Sequence, residues 1–237
     1  MMTVIYTRVL IACRDNYILE LIIFEDLKPD NIYVNMQEGD NRFNEVKIGD
    51  MGNCSHVTSE GPTSGAFCGA PTWSSPELIL QLPWNTASDI WAFGLLVRPY
   101  ISTSYSRLEY VEYLWADDLY AKFVHMIYGS YFSLCMPQGP RIEGDRPNLL
   151  LDIMLRQLHW FAPFLEKIVG VADAESADTI AAFREYNMPA QQGIFETIPE
   201  TEISKKDNKF IRKMMKLDWR DRPSARDLLE DEWWIDE

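Results

Sequence analysis

The sequence has 237 residues with 22 basic against 36 acidic side chains, a formal net charge of −14, and it is 47% apolar and 13% aromatic. This length fits one domain or two small ones, and the apolar fraction is ample for a packed core, which excludes wholesale disorder. An acidic surface repels phosphate backbones and anionic membranes, so neither nucleic acid nor a membrane is expected as a partner.

Cys13, Cys54, Cys68 and Cys135 show no paired spacing, and His56, His125 and His159 are scattered. Neither a zinc site nor a disulfide framework is expected. The apolar N-terminal run has no basic residue ahead of it, is interrupted by Arg8 and is soon followed by Arg14, which suits neither a signal peptide nor a membrane span. Asn53-Cys54-Ser55 fits a glycosylation pattern, but nothing marks secretion, and the expected compartment is intracellular, cytoplasm or nucleus.

In chain order, residues 1–20 mix apolar pairs with charges, and a helix running to about Leu21 is expected. Ile32 to Met36 and Val46 to Ile48 are short β-prone runs around Gly39-Asp40-Asn41, which predicts two strands joined by a turn-rich loop. Residues 51–77, rich in Gly, Ser, Thr and Pro without a hydrophobic period, read as a long irregular segment. Thr86-Ala87-Ser88-Asp89 matches a capping-box-like start. The following Ile90 to Val97 is apolar on every face, so this helix belongs in the interior. Further helices are predicted around Leu149 to Phe161, with Leu150, Met154, Leu158 and Phe161 on one stripe, and around Asp207 to Leu217 with Ser204 as cap. A last helix starts near Pro223, carries Ala225, Leu228 and Leu229 inward and ends at Trp233 and Trp234. For Leu108 to Gly144 the residues suggest no role.

The stretch that points to chemistry is Asp26-Leu27-Lys28-Pro29-Asp30-Asn31, followed nineteen residues after Asn31 by Asp50-Met51-Gly52. Ser75-Pro76-Glu77, Asp89-Ile90-Trp91-Ala92-Phe93-Gly94 and Arg222-Pro223-Ser224-Ala225 come after it in order. Together these motifs resemble the protein kinase family of the eukaryotic serine/threonine type. His159-Trp160-Phe161-Ala162-Pro163-Phe164 is similar to fungal relatives of the SR-protein kinases.

The resemblance implies a mainly α fold with a small β-hairpin, the kinase-like large C-terminal lobe, spanning 1–237. Its catalytic loop would be 24–31, its metal motif 50–52, its activation segment 50–77 and its helical subdomain 86–237. Phosphoryl transfer needs oxygen ligands for Mg²⁺, a cation for the moving phosphate and an acceptor for the hydroxyl proton. By resemblance Asp26 orients and deprotonates the substrate hydroxyl, Lys28 neutralises the γ-phosphate of ATP, and Asn31 with Asp50 holds Mg²⁺. Glu77 and Arg222 resemble the family's buried ion pair. Asp89 resembles the residue that ties down the catalytic loop, with simple helix capping as its alternative.

The pattern also breaks. Phe24-Glu25-Asp26 stands where the family has His-Arg-Asp. The usual Arg faces a phosphorylated residue of the activation segment, and Glu25 would repel that dianion, so activation through Thr58, Ser59, Thr63 or Ser64 is not expected. Met51 replaces a Phe, and Ala70 replaces a Thr whose hydroxyl would bond near Asp26 and Lys28.

No Gly-x-Gly-x-x-Gly occurs, and 25 residues precede Asp26, whereas a five-stranded small lobe with one helix needs roughly 36–41 before turns. The small lobe is therefore expected to be missing. Two readings follow from this. One is a protein kinase acting on protein hydroxyls in its complete form, with the present chain weak or inactive. The other is a pseudokinase-like module that binds a partner protein without catalysis. Oligomeric state is left open.

Overall fold

The structure, a computed structural model, describes residues 7, 9–11, 21–36, 43–103, 149–161, 166–172, 176–178, 180–181, 193–200 and 203–235. The predicted turn at Gly39-Asp40-Asn41 and the stretch Leu108 to Gly144 lie outside the described residues, as do Cys13, His125 and Cys135.

Near the N-terminus, Val9 and Leu10 are helical and fully buried. The helix expected to run to about Leu21 is seen at residues 9–11, and its further course lies outside the described residues; Leu21 is not helical and leads into strand β1, Ile22–Ile23. Strands β2 (Ile32–Met36) and β3 (Phe43–Ile48) form an antiparallel hairpin in which Ile32 faces Ile48 and Val34 faces Val46, with an irregularity between Asn35 and Met36. Its alternation is that of a half-buried sheet: Ile32, Val34, Val46 and Ile48 pack on the core, while Tyr33, Asn35, Glu45 and Lys47 face outward.

Residues 51–77 are less irregular than their composition suggests. They carry the two-residue strand β4, Ser55–His56, paired antiparallel with β1, and the helices α1, Glu60–Ser64, and α2, Pro76–Ile79. Single 3-10 turns lie at Met51–Asn53 and Pro71–Trp73. Two-residue strands and one-turn helices are too short for any hydrophobic period, and α1 even contains Gly61 and Pro62. Their stability comes from long-range contacts, such as Trp84 donating its indole N–H to Ala66 O at 3.0 Å.

Helix α3, Ala87–Thr103, is the axis of the molecule, and every residue from Ser88 to Val97 is buried. Its entry is stabilised by Asn85, whose Oδ1 accepts the Ala87 N–H at 2.9 Å. Helix α4, Leu149–Phe161, buries Met154, Leu158 and Phe161 on its predicted stripe, with Leu150 half-buried, and Phe161 meets Trp91 edge-on with ring centroids 5.6 Å apart. Helix α5, Lys205–Met214, is capped by Ser204 and buries Phe210, Ile211 and Met214. Helix α6, Ala225–Leu229, opens on a capping box between Ser224 and Asp227, whose hydrogen bonds hold the Asp227 carboxyl below the usual range. The chain then lays Trp233 flat on Phe210, centroids 4.4 Å apart. No helix among the described residues is long and apolar enough to cross a membrane.

Helices α3 and α5 approach so closely at Gly94 that an added Cβ would lie 2.6 Å from Met215 Sδ and 3.0 Å from Met214 Cβ. Gly94→Ala gains about 1 kcal/mol of helix propensity but overpacks the crossing, which typically costs about 1–3 kcal/mol. The methionine tip can yield; the Met214 Cβ is fixed to its helix. A net loss of about 1 kcal/mol is expected in urea unfolding, and a gain would show that the crossing is looser than described.

Candidate active site

The site grows from the turn that follows β1. Phe24, which stands where the family pattern has a histidine, is buried in the core. Glu25 has φ +65°, and Asp26 N–H closes back on Phe24 O at 2.8 Å, so Glu25 is the centre of a γ-turn with left-handed backbone. Such a conformation costs of order 1–3 kcal/mol and persists where the surroundings hold it. They do so here through Asp89. From inside α3 its Oδ2 accepts the Phe24 N–H at 2.9 Å and its Oδ1 the Glu25 N–H at 3.3 Å. The side chain read from the sequence as either a cap or a loop tether is thus bonded to the loop.

Asp26 is buried, and one of its oxygens is fully committed. Oδ2 accepts Lys28 Nζ at 2.7 Å and Asn31 Nδ2 at 3.1 Å, and the same Asn31 amide also reaches Asp26 O at 2.8 Å. The other oxygen, Oδ1, is buried with no hydrogen-bond partner. Buried carboxylate oxygens are normally satisfied, so an open one marks a place for an incoming donor. Lys28 stays partly open to solvent and Asn31 is almost fully buried.

The hairpin brings the second motif alongside. Gly49 N–H bonds to Asn31 O at 2.8 Å, so Asp50 follows β3 directly beside the residue that precedes β2. Asp50 has left-handed backbone, φ +53°, and lies exposed. With Nδ2 of Asn31 spent on Asp26, the carboxamide oxygen is the atom of that side chain left for a cation. Among the described residues no three His, Cys, Asp or Glu side chains are arranged so as to hold a metal ion by themselves. An amide oxygen and one carboxylate nevertheless suit Mg²⁺, which keeps waters and takes phosphate oxygens as its other ligands.

Glu77 and Arg222, both with fully buried side chains, form a two-pronged pair: Arg222 Nη1 and Nη2 reach the two Glu77 oxygens at 2.7 and 2.8 Å. Arg222 also donates to Lys216 O and Ala87 O and lies over the Trp91 ring. The pair therefore ties α2, the start of α3 and the chain before α6 into one unit.

The sequence reading did not find the acidic setting of Cys54 and Cys68. Cys54 is pushed up to about 11 by burial and then by the charges of Asp89, Glu25 and Asp50; Cys68 is raised further, first by burial and then by the negative charge of Glu25. No spacing rule signals two thiols facing carboxylates that are distant in sequence.

Residues 5–105 match the protein kinase domain family. A protein kinase C-like protein of Cochliobolus heterostrophus is 36% identical over 179 residues, 67% of this chain and 15% of the relative. The chain belongs to the eukaryotic serine/threonine protein kinase family. The serine/threonine-protein kinase PAK 5 of Rattus norvegicus is 37% identical to this kinase chain over 76 residues, 32% of the chain and 10% of the relative. A chain of the yeast RNA Pol II CTD kinase CTDK-1 complex superimposes with a TM-score of 0.60, covering 98% of this chain and 62% of that one. At 14% identity that likeness shows a kinase-like fold and nothing finer. The kinase chain spans less than a sixth of the two relatives compared here. The segment 159–164, read as similar to SR-protein kinases, lies in part outside the described residues.

Breaking the buried pair on one side leaves the other charge uncompensated, so Glu77→Gln or Arg222→Ala is expected to cost about 3–5 kcal/mol. Urea unfolding checks this. A loss below about 1 kcal/mol, the range of exposed pairs, would mean that water reaches the pair.

Proposed function

We propose that this kinase chain carries the hydroxyl-acceptor and metal-binding face of a site that transfers the γ-phosphoryl of ATP to a protein hydroxyl. The observation that carries the reading is the Asp26 carboxylate, held by Lys28 and Asn31 through one oxygen and buried without a partner at the other. A general base must present an unoccupied lone pair to the proton it takes, and Oδ1 is such an atom. The Thr expected to bond near Asp26 is Ala70 here, consistent with Oδ1 lacking a partner.

Protein kinases generally use ATP and Mg²⁺. The donors present fit that ion: Asn31 and Asp50 would hold Mg²⁺, which when bound neutralises charge on the phosphates. Lys28, bonded to Asp26 and partly exposed, supplies a cation beside the acceptor. The roles of these four residues, the activation segment 50–77 and the assignment to the large lobe all belong to this proposal.

The 237 residues contain no Gly-x-Gly-x-x-Gly cradle for the phosphates. Positioning of the reactants can supply several kcal/mol of barrier reduction, so we expect this polypeptide by itself to turn over weakly or not at all. The second reading, a module that binds a partner protein, is favoured by the exposed apolar groups around Asp50. Tyr33 is 58% exposed with its ring over Gly49, and Met51 is 46% exposed.

Mg²⁺-ATP at millimolar concentration is expected to raise the thermal midpoint by mass action, with the rise lost in Asp50→Ala and kept in Asp26→Asn. Any phosphate transferred to a generic basic protein substrate should disappear in Asp26→Asn. Transfer that survives Asp26→Asn contradicts the catalytic reading. A midpoint indifferent to Mg²⁺-ATP favours the binding module.

A further inference from the structure

The segment 50–77 meets the Asp26 loop at Gly69. Its φ is +72°, and a Cβ there would lie 2.2 Å from Glu25 O and 3.8 Å from Asp26 Cα, so only a glycine lets the two stretches of chain touch. The residues that follow, 70–74, therefore leave from beside the proposed proton acceptor. They fold into a closed turn: Ala70 O accepts the Trp73 N–H at 2.9 Å and the Ser74 hydroxyl at 3.1 Å, and Pro71 O accepts the Ser74 N–H at 3.2 Å. A protein chain presenting a hydroxyl to Asp26 would meet this turn with the residues that flank the hydroxyl.

The far end of the turn is held from a distant part of the sequence. Gln157, on α4, is buried and donates its Nε2 to Ser74 O at 2.9 Å across 83 positions. A carbonyl only accepts, so the contact also fixes which way round the amide lies. The other amide atom, Oε1, is buried without a partner. A half-satisfied amide in the interior costs more than an apolar side chain of the same length, so packing does not account for Gln157. What it adds over a methionine is a donor for Ser74 O. Ser75 gives no local support, since its side chain does not cap α2 and its Oγ is buried without a partner. The 71–73 turn and α2 both pack on α4, and Glu77 is fixed by Arg222.

We propose that Gln157 is a positioning residue: by holding Ser74 O it sets the 70–74 turn beside Asp26, and so places the protein chain that presents the acceptor hydroxyl. The proposal rests on the functional reading above, in which Asp26 takes the hydroxyl proton. The Glu77–Arg222 pair anchors the same stretch from its other side, so loss of the Gln157 donor loosens the turn and leaves the fold standing.

The test uses the full chain and Gln157→Met, which keeps the length of the side chain but not its donor. Hydrogen exchange over residues 70–75 is expected to speed up by about fivefold, the effect of one hydrogen bond, while exchange in α3 and α5 stays as in the parent. With a generic basic protein substrate, KM for that protein is expected to rise by a similar factor and KM for ATP to stay unchanged. Exchange over 70–75 as slow as in the parent overturns the proposal. So does faster exchange in all three regions together, which marks a general loss of stability. Equal KM values for the protein substrate in parent and variant overturn it too. Should Gln157→Met not fold, nitrogen-labelled glutamine in the parent decides. The Gln157 side-chain amide is then expected to exchange at least about tenfold more slowly than that of the exposed Gln81, and equal rates overturn the tether. An inert chain with a loosened turn contradicts the functional reading alone, whereas an active chain with an unmoved turn contradicts only the role of Gln157.

Discussion

Two charges that would be prohibitively expensive alone in the interior, Glu77 and Arg222, meet there from positions 145 residues apart. A buried guanidinium is tolerated when its donors are filled, and Arg222 spends its own on the Glu77 carboxylate and on the carbonyls of Lys216, Ala87 and Leu217. Those carbonyls belong to chain ends around α3 and before α6. The pair therefore joins the first turn of α2 to the start of α3 and to the chain between α5 and α6, and its value lies as much in specifying that arrangement as in net stability.

From that fixed start, α3 carries Asp89 to the turn after β1, and the Asp89 carboxylate holds two successive amides of a strained γ-turn. The strain has a local consequence. It turns the chain sharply after Phe24, so that Asp26 faces back toward Lys28 and Asn31 instead of continuing β1. Burial then does the rest: one oxygen of Asp26 is saturated and the other left open. A sequence of physical dependencies thus runs from ion pair to helix start to tether to acceptor. Only its last member bears on chemistry.

How much of this was legible in the sequence depended on whether a signal was local. Helix α4 was readable because four apolar residues recur on one face, and the cap of α5 because Ser204 stands directly before its first turn. Strand β2 announced itself by β-branched residues. Strands β1 and β4 did not, since two residues hold no period and their partners stand 32 and 34 positions apart. Helix α1 was hidden by its own Gly61 and Pro62, and the irregular stretch 51–77 proved to be pinned at both ends. At the entry of α3 Asn85 Oδ1 accepts the Ala87 N–H, a contact the 86–89 pattern does not announce, and the Asp89 carboxylate reaches across to the loop. The motif residues Asp26, Lys28, Asn31 and Asp50 could be named from the resemblance to protein kinases that the ordered motifs carry. The open oxygen on Asp26 and the acidic setting of Cys68 could not, because both depend on which neighbours folding brings close.

The central claim is that the ends of the β2–β3 hairpin form one cation-binding face beside Asp26. Substoichiometric Mn²⁺ added to isotope-labelled protein tests it directly, through paramagnetic broadening of backbone signals. The account predicts broadening centred on residues 26–31 and 49–52 that is lost when Asn31 and Asp50 are both changed to Ala. Broadening spread over the acidic surface, or unaffected by that double change, would contradict it.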